Sequence, residues 1–187
     1  ISACLVGSEM CIRDRFWELC HQTDKRLELV KGALRELAPA NFEHGLVAGK
    51  LQVLVGQFVM SQRLGYVVAA ETGFVLSEQP ATVRAPDMAY VSRERVGESY
   101  LERFADFSPD LVAEVVSPSD TFSSVAEKVE DWLKAGVRLV WVIDPATQTV
   151  RVYRTGQPTQ VLREQDTLSG EDVLPGFACK VSELFAR

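Results

Sequence analysis

Three ionisable residues stand where the surrounding pattern expects apolar ones. Glu114 lies in the aliphatic run Leu111–Val116 of "PDLVAEVVSPSD" (109–120), where period-two alternation gives it a strand face shared with Val112 and Val116. A carboxylate among aliphatic side chains is costly unless something compensates it. An arginine in an ion pair and a bound cation would serve equally. Asp87 is the one charge on the stripe Val83, Ala85, Asp87, Ala89, Val91. A turn-forming Pro-Asp pair at 86–87 is the simpler account on composition alone. Lys128 shares a helical face with Val125, Val129 and Trp132. Its ammonium either points at the sheet or snorkels to water past a packed stem.

Taken together the three suggest chemistry. The strand bearing Glu114 ends at Pro118, and the helix that follows puts Lys128 in its first or second turn. "SSVAE" (123–127) offers a capping box of Ser124 with Glu127, with Asp120 as an alternative cap. Lys128 is then near the carboxyl end of the strand. Two carboxylates, Asp87 and Glu114, can hold a hard divalent cation that keeps several of its waters. A lysine beside that cation can steady a metal-bound hydroxide.

The elements that must position these groups follow from periodicity. "RLELV" (26–30) and "ALREL" (33–37) alternate about Lys31-Gly32 and predict a hairpin. Residues 16–20 predict the remnant of a short helix. From Asn41, a good cap, apolar residues recur at three and four through Val59, and Gly65 is expected to stop that helix. Strands are expected at 66–71 and 73–76. The segment 82–91 carries Pro86, which demotes it to an edge or a bulge. Residues 92–108 read as a loop. Strand 111–116, a helix to about Ala135 closed by Gly136, and strand 138–144 form a strand–helix–strand unit with a parallel crossover. "TVRVYR" (149–154) pairs back, and 173–185 ends in a short helix. The fold class is α/β, one central sheet flanked by helices.

Bulk properties limit the function. The chain has 187 residues, 47% hydrophobic and 25% charged, with a net charge of −6. One domain is expected. The negative charge argues against nucleic-acid binding by bulk electrostatics and leaves a local basic face open. No apolar run approaches the roughly 18 residues of a membrane span. Four cysteines form no C-x-x-C pair, and neither histidine stands at a ligand spacing, so a zinc site is not expected and free cytoplasmic thiols are. "CLVGSEMCIRDR" (4–15) resembles translated adaptor sequence. Residues 1–15 are set aside as a non-native leader, which leaves 16–187 as the expected domain.

The stretches "RLELVKGALRELAP", "EHGLVAGKL", "APDMAYV", "PDLVAEVVSPSD", "EKVEDWLKAGVRLVWVIDP" and "VRVYR" resemble the Uma-two family. That family is assigned to the endonucleases of the PD-(D/E)XK, restriction-endonuclease-like superfamily. The resemblance runs from about residue 16 to the end. It implies a restriction-endonuclease-like core and Mg²⁺-dependent hydrolysis of phosphodiesters, with Mn²⁺ able to substitute. Nucleic acid, DNA in the first instance, is the implied partner, and a homodimer is expected by analogy of fold.

The superfamily's Pro-Asp matches Pro86-Asp87 and its second acid matches Glu114. The lysine two residues on is replaced by Val116, and the family resembled moves it to the next helix, onto Lys128. Trp132 stands where a tyrosine is expected. Glu43, beside His44, and Glu71 are further candidate ligands, though exposed positions explain them more simply. Arg84, Arg93, Arg95 and Arg103 could hold a phosphate backbone, and each taken singly reads as surface charge. A catalytically inactive member of the fold, acting as an interaction or nucleic-acid-binding module, is the rival reading, favoured by Val116 and the net charge. A hydrolase of some other phosphoester is a third.

Overall fold

The computed structural model describes residues 12–96 and 103–186. Helix α1 (Ile12–Gln22) already starts ahead of the expected 16–20 segment and leads into the hairpin β1 (Leu27–Val30) and β2 (Ala33–Glu36). Lys31 and Gly32, both at positive φ, make the tight turn. Helix α2 (Phe42–Gln62) starts as expected, with the Asn41 side chain accepting from His44 N at 2.8 Å. It ends earlier than expected, on Arg63 in the left-handed region at φ 55. Gly65 has a different duty. It lies in strand β3 (Gly65–Ala69), where a Cβ would come within 2.1 Å of Val91 O.

Strands β4 (Phe74–Glu78), β5 (Ala81–Arg84) and β6 (Met88–Ser92) follow, then β7 (Leu111–Val115), helix α3 (Phe122–Lys134), β8 (Leu139–Asp144) and β9 (Thr149–Tyr153). Short strands β10 (Gln160–Leu162), β11 (Thr167–Ser169) and β12 (Ala178–Lys180) precede helix α4 (Val181–Phe185).

The strands form two larger sheets and one hairpin. The six-stranded sheet has the order β10-β9-β8-β7-β6-β3, and the four-stranded sheet has β2-β1-β5-β4. Strands β7 and β8 are parallel, so α3 makes the predicted crossover. The segment around Pro86 is neither an edge strand nor a bulge. β5 lies inside the smaller sheet and β6 inside the larger one, and Ala85-Pro86-Asp87 carries the chain between them. Proline has no N–H for a ladder, so the ladder of one sheet stops there and that of the next begins.

Both faces of the six-stranded sheet are covered, which is why β7 and β8 are nearly continuous apolar runs. On one face Val47, Leu51, Val55 and Val59 of α2 and Leu184 of α4 pack against Leu111, Ala113 and Val115. On the other, Val129 and Trp132 of α3 pack against Val112, Val140 and Val142. Among the described residues no helix is long and apolar enough to cross a membrane.

Candidate active site

The carboxyl end of β7 is where the predicted groups meet. β6 pairs with β7 in the register Met88↔Ala113 and Ala89↔Val112, so the next step along each strand brings Asp87 alongside Glu114. Asp87 caps the end of β7, its Oδ2 accepting from Val115 N at 2.7 Å. His44 Nε2, from the first turn of α2, lies 3.2 Å from the same oxygen. Both of these partners fall on Oδ2.

Glu114 points to the α3 side of the sheet and is almost fully buried. Its Oε1 accepts from Trp132 Nε1 at 2.8 Å and its Oε2 from Lys128 Nζ at 3.1 Å. Lys128 therefore faces inward along a partly sheltered path, its side chain 21% exposed. The helix begins differently from the expected box. Thr121 is the cap and Ser124 its reciprocal partner, while Asp120 instead accepts from Ser117 N and closes the Ser-Pro-Ser-Asp turn. Lys128 stays on the inner face because it shares that face with Val125, Val129 and Trp132. The indole N–H of Trp132 supplies a donor where a tyrosine hydroxyl was expected.

The electrostatics are strained in one direction. Burial pushes the Glu114 carboxyl up to about 7; the Lys128 ammonium opposes this, and the charges of Asp87 and Glu28 reinforce it. Lys128 is held above its ordinary value, first by the negative charge of Glu114. Because the ammonium reaches solvent and the carboxyl does not, Glu114 is the member of the pair that titrates near neutrality. His44 is raised, chiefly by its contact with Asp87, against the opposing effect of burial.

Sequence reasoning missed Glu28. This residue of β1 is as buried as any aliphatic neighbour, and its charge acts on both Glu114 and Lys128. Its Oε1 accepts from Ala85 N at 3.2 Å and its Oε2 from Arg84 at 2.8 Å. The available signal was the single acid in "LELV", the same pattern that exposed Glu114 in "LVAEV". Polar–apolar alternation in a hairpin hid it.

The other candidates fare unevenly. Arg84 is a structural residue, not a phosphate ligand. It is 1% exposed and clamped between Glu28 and Asp131, with Nε and one terminal nitrogen on Asp131 Oδ2 at 2.9 and 2.7 Å. Arg95 pairs with Asp110 and Ser108 O, and Arg103 with Asp14. Arg93 is exposed in a short 3-10 turn at Arg93–Arg95. Glu71 pairs with Arg26 at a turn. Glu43 lies in the first turn of α2 and borders a cavity of about 610 Å³ with Phe42, Leu46 and Gln148.

Among the described residues, no three His, Cys, Asp or Glu side chains converge closely enough to cage an ion. The donor set nonetheless suits a hard cation bound through few protein ligands. Asp87 and Glu114 offer carboxylate oxygens, and magnesium characteristically completes its shell with water. Burial first, and then the charges of Asp87 and Glu28, raise the Glu114 carboxyl, and a cation beside it would favour the ionised form.

The comparisons agree with this architecture. A family model described as "Uma2: Putative restriction endonuclease" matches residues 13–182. A crystal structure of "a putative nuclease belonging to DUF820" from Anabaena variabilis ATCC 29413 superposes with a TM-score of 0.76 at 22% identity, covering 87% of this chain and 91% of that one. At that identity the likeness shows the fold, which is restriction-endonuclease-like. No curated protein matches the chain in sequence.

Proposed function

Since the chain belongs to the Uma2 family, we propose that it is a Mg²⁺-dependent endonuclease that hydrolyses phosphodiester bonds of nucleic acid, DNA in the first instance. The supporting observation is the convergence of Asp87, Glu114 and Lys128 at the carboxyl end of β7, from the link before β6, from β7 itself and from α3. Mn²⁺ should substitute for Mg²⁺.

Asp87 and Glu114 would hold the ion. When bound, it supplies Lewis-acid polarisation of the scissile phosphate and a more acidic water. Every other task falls to groups of the chain itself. Val115 N and His44 fix the Asp87 carboxylate in one orientation. Trp132 fixes Glu114 through Oε1. Lys128, protonated, places positive charge where the attacking oxygen and the phosphate gather negative charge. For Lys128 to do so, its ammonium must share itself between Glu114 Oε2 and the reacting oxygens. This is the role the superfamily lysine would have taken from position 116.

The test is cleavage of supercoiled and single-stranded DNA with Mg²⁺, Mn²⁺ or chelator, beside Glu114→Ala and Lys128→Ala. Cleavage should need the metal and fall by about a hundredfold or more in each variant, the range for loss of one preorganised electrostatic group. Cleavage that survives both substitutions rejects the site.

One observation favours the inactive reading. Both Glu114 oxygens already accept from protein donors, an arrangement that also suffices to bury a carboxylate with no ion. Absence of any cleavage together with absence of Mn²⁺ binding would select that alternative.

A further inference from the structure

The rim of the site carries an unexplained feature. Phe42 and Phe122 are 88% and 85% exposed, more than any other large hydrophobic side chain among the described residues. Each is the first residue of its helix. Phe42 precedes His44 by two residues and Phe122 precedes Lys128 by six, an axial rise of roughly 3 and 9 Å along their helices. α2 and α3 cover opposite faces of the six-stranded sheet. The starts of the two helices therefore lie on opposite faces of the sheet at the end that carries Asp87 and Glu114. A partner with apolar flat faces would cover both rings and gain the burial that the core does not give them.

The charges nearby narrow the choice. Duplex DNA is held chiefly through phosphates neutralised by Lys and Arg. Several cations around this rim are committed: Arg84 is buried, Lys31 and Arg35 pair with Glu127, and Lys128 pairs with Glu114, while Arg151, in the strand row of Glu114, is 3.9 Å from Asp144. The chain as a whole is at −6. Unpaired nucleotides add stacking on aromatic rings to their phosphate contacts, a source of affinity that a closed duplex does not offer. The amino ends of α2 and α3 lie at the same rim and favour the intervening phosphates. Beside Phe42, the cavity walled by Leu46, Leu184 and Phe185 and edged by Asn41 and Gln148 offers apolar walls and amide groups for a splayed base.

From this juxtaposition we infer that the substrate is bound as an unpaired stretch of nucleic acid, its bases stacked on Phe42 and Phe122 at either side of the scissile phosphate. The inference rests on the nuclease reading only for the location of that phosphate.

The experiment is binding of a short labelled single strand, its RNA counterpart and its duplex to the full chain in chelator, by fluorescence anisotropy over a salt series. Wild type, Phe42→Ala, Phe122→Ala, both Phe→Tyr variants and Glu114→Gln are compared, with thermal unfolding to verify folding. The single strand should bind more tightly than the duplex. Each alanine should weaken it by roughly five- to a hundredfold without changing the salt slope, and each tyrosine should retain affinity. Alanine variants that bind like wild type overturn the inference, as does equal or tighter duplex binding or no single-strand binding. A wild-type dimer that the alanines dissociate, with nucleic-acid affinity unchanged, would also overturn it and assign the rings to contact between copies. If wild type fails to cleave but the stacking pattern holds, the nuclease reading falls alone. If Glu114→Gln abolishes cleavage while the alanines bind normally, only this inference falls.

Discussion

Glu114 shows how burial and function pull on one residue. Its carboxyl sits near 7 in the fold against an ordinary value of 4.5, so between those pH values the folded chain keeps a proton that the unfolded chain has released. The associated stability is fully present below about pH 4.5 and is lost as pH rises through about 7, with a ceiling of about 3 kcal/mol. His44 acts in the same sense, since its raised value favours the folded state on the acid side and is lost as pH climbs past its folded value. Metal-free protein should therefore melt at progressively lower temperature from about pH 5 to about pH 8. Glu114→Gln, which cannot ionise, should flatten that decline and raise the melting point at the alkaline end while abolishing cleavage. Mn²⁺ should restore the melting point of wild type at the alkaline end and do little for the variant. A wild-type profile that rises over this range would contradict the assignment of Glu114 as the strained group.

At the scale of elements, the two charged tie-points of α3 do different jobs. Lys128 reaches down to Glu114, while Asp131, further along the helix, is gripped by Arg84 from β5, which in turn is held by Glu28 of β1. This chain of contacts fixes the height of α3 over the smaller sheet. Arg84→Met should leave Glu28 and Asp131 without their buried counter-charge and cost about 3–5 kcal/mol of stability, read by urea unfolding. A loss below about 1 kcal/mol would mean that the carboxylates find other partners.

Much of this level was legible in the sequence. The apolar runs around Glu114 and Trp141 with Gly136 between them announced a parallel crossover, and Lys31-Gly32 announced the hairpin. The change of sheet at Pro86 was not legible. Val83, Ala85, Ala89 and Val91 continue one alternation across the break, and local pattern cannot tell a kinked strand from two strands in different sheets. The inward turn of Lys128 could be argued from helical spacing. His44 and Glu28 could not be placed, because their partners are set by tertiary pairing between segments far apart in sequence. Strands β10, β11 and β12 are only three residues long, too short for any period to show.

The whole molecule depends on a carboxy-terminal section that bears none of the proposed catalytic groups. Leu168, Leu174, Phe177, Val181 and Leu184 are buried in the same core as α2, and Phe177 stacks on Trp141 with ring centroids 5.8 Å apart. Ending the chain after Arg163 should uncover that core and yield an aggregating or molten protein, seen as loss of a cooperative thermal transition. A truncated chain that melts cooperatively would show that the six-stranded sheet is self-sufficient. The larger lesson of the molecule lies in the short link at residues 85–87. One acid belongs to the joint itself and the other to the strand beside β6, so the gap between them is gauged by the β6–β7 pairing and by the bond from Val115 N to Asp87. Under the proposed reading, a substitution that strains the joint at residues 85–87 would shift that gap and so alter ion affinity without replacing either acid.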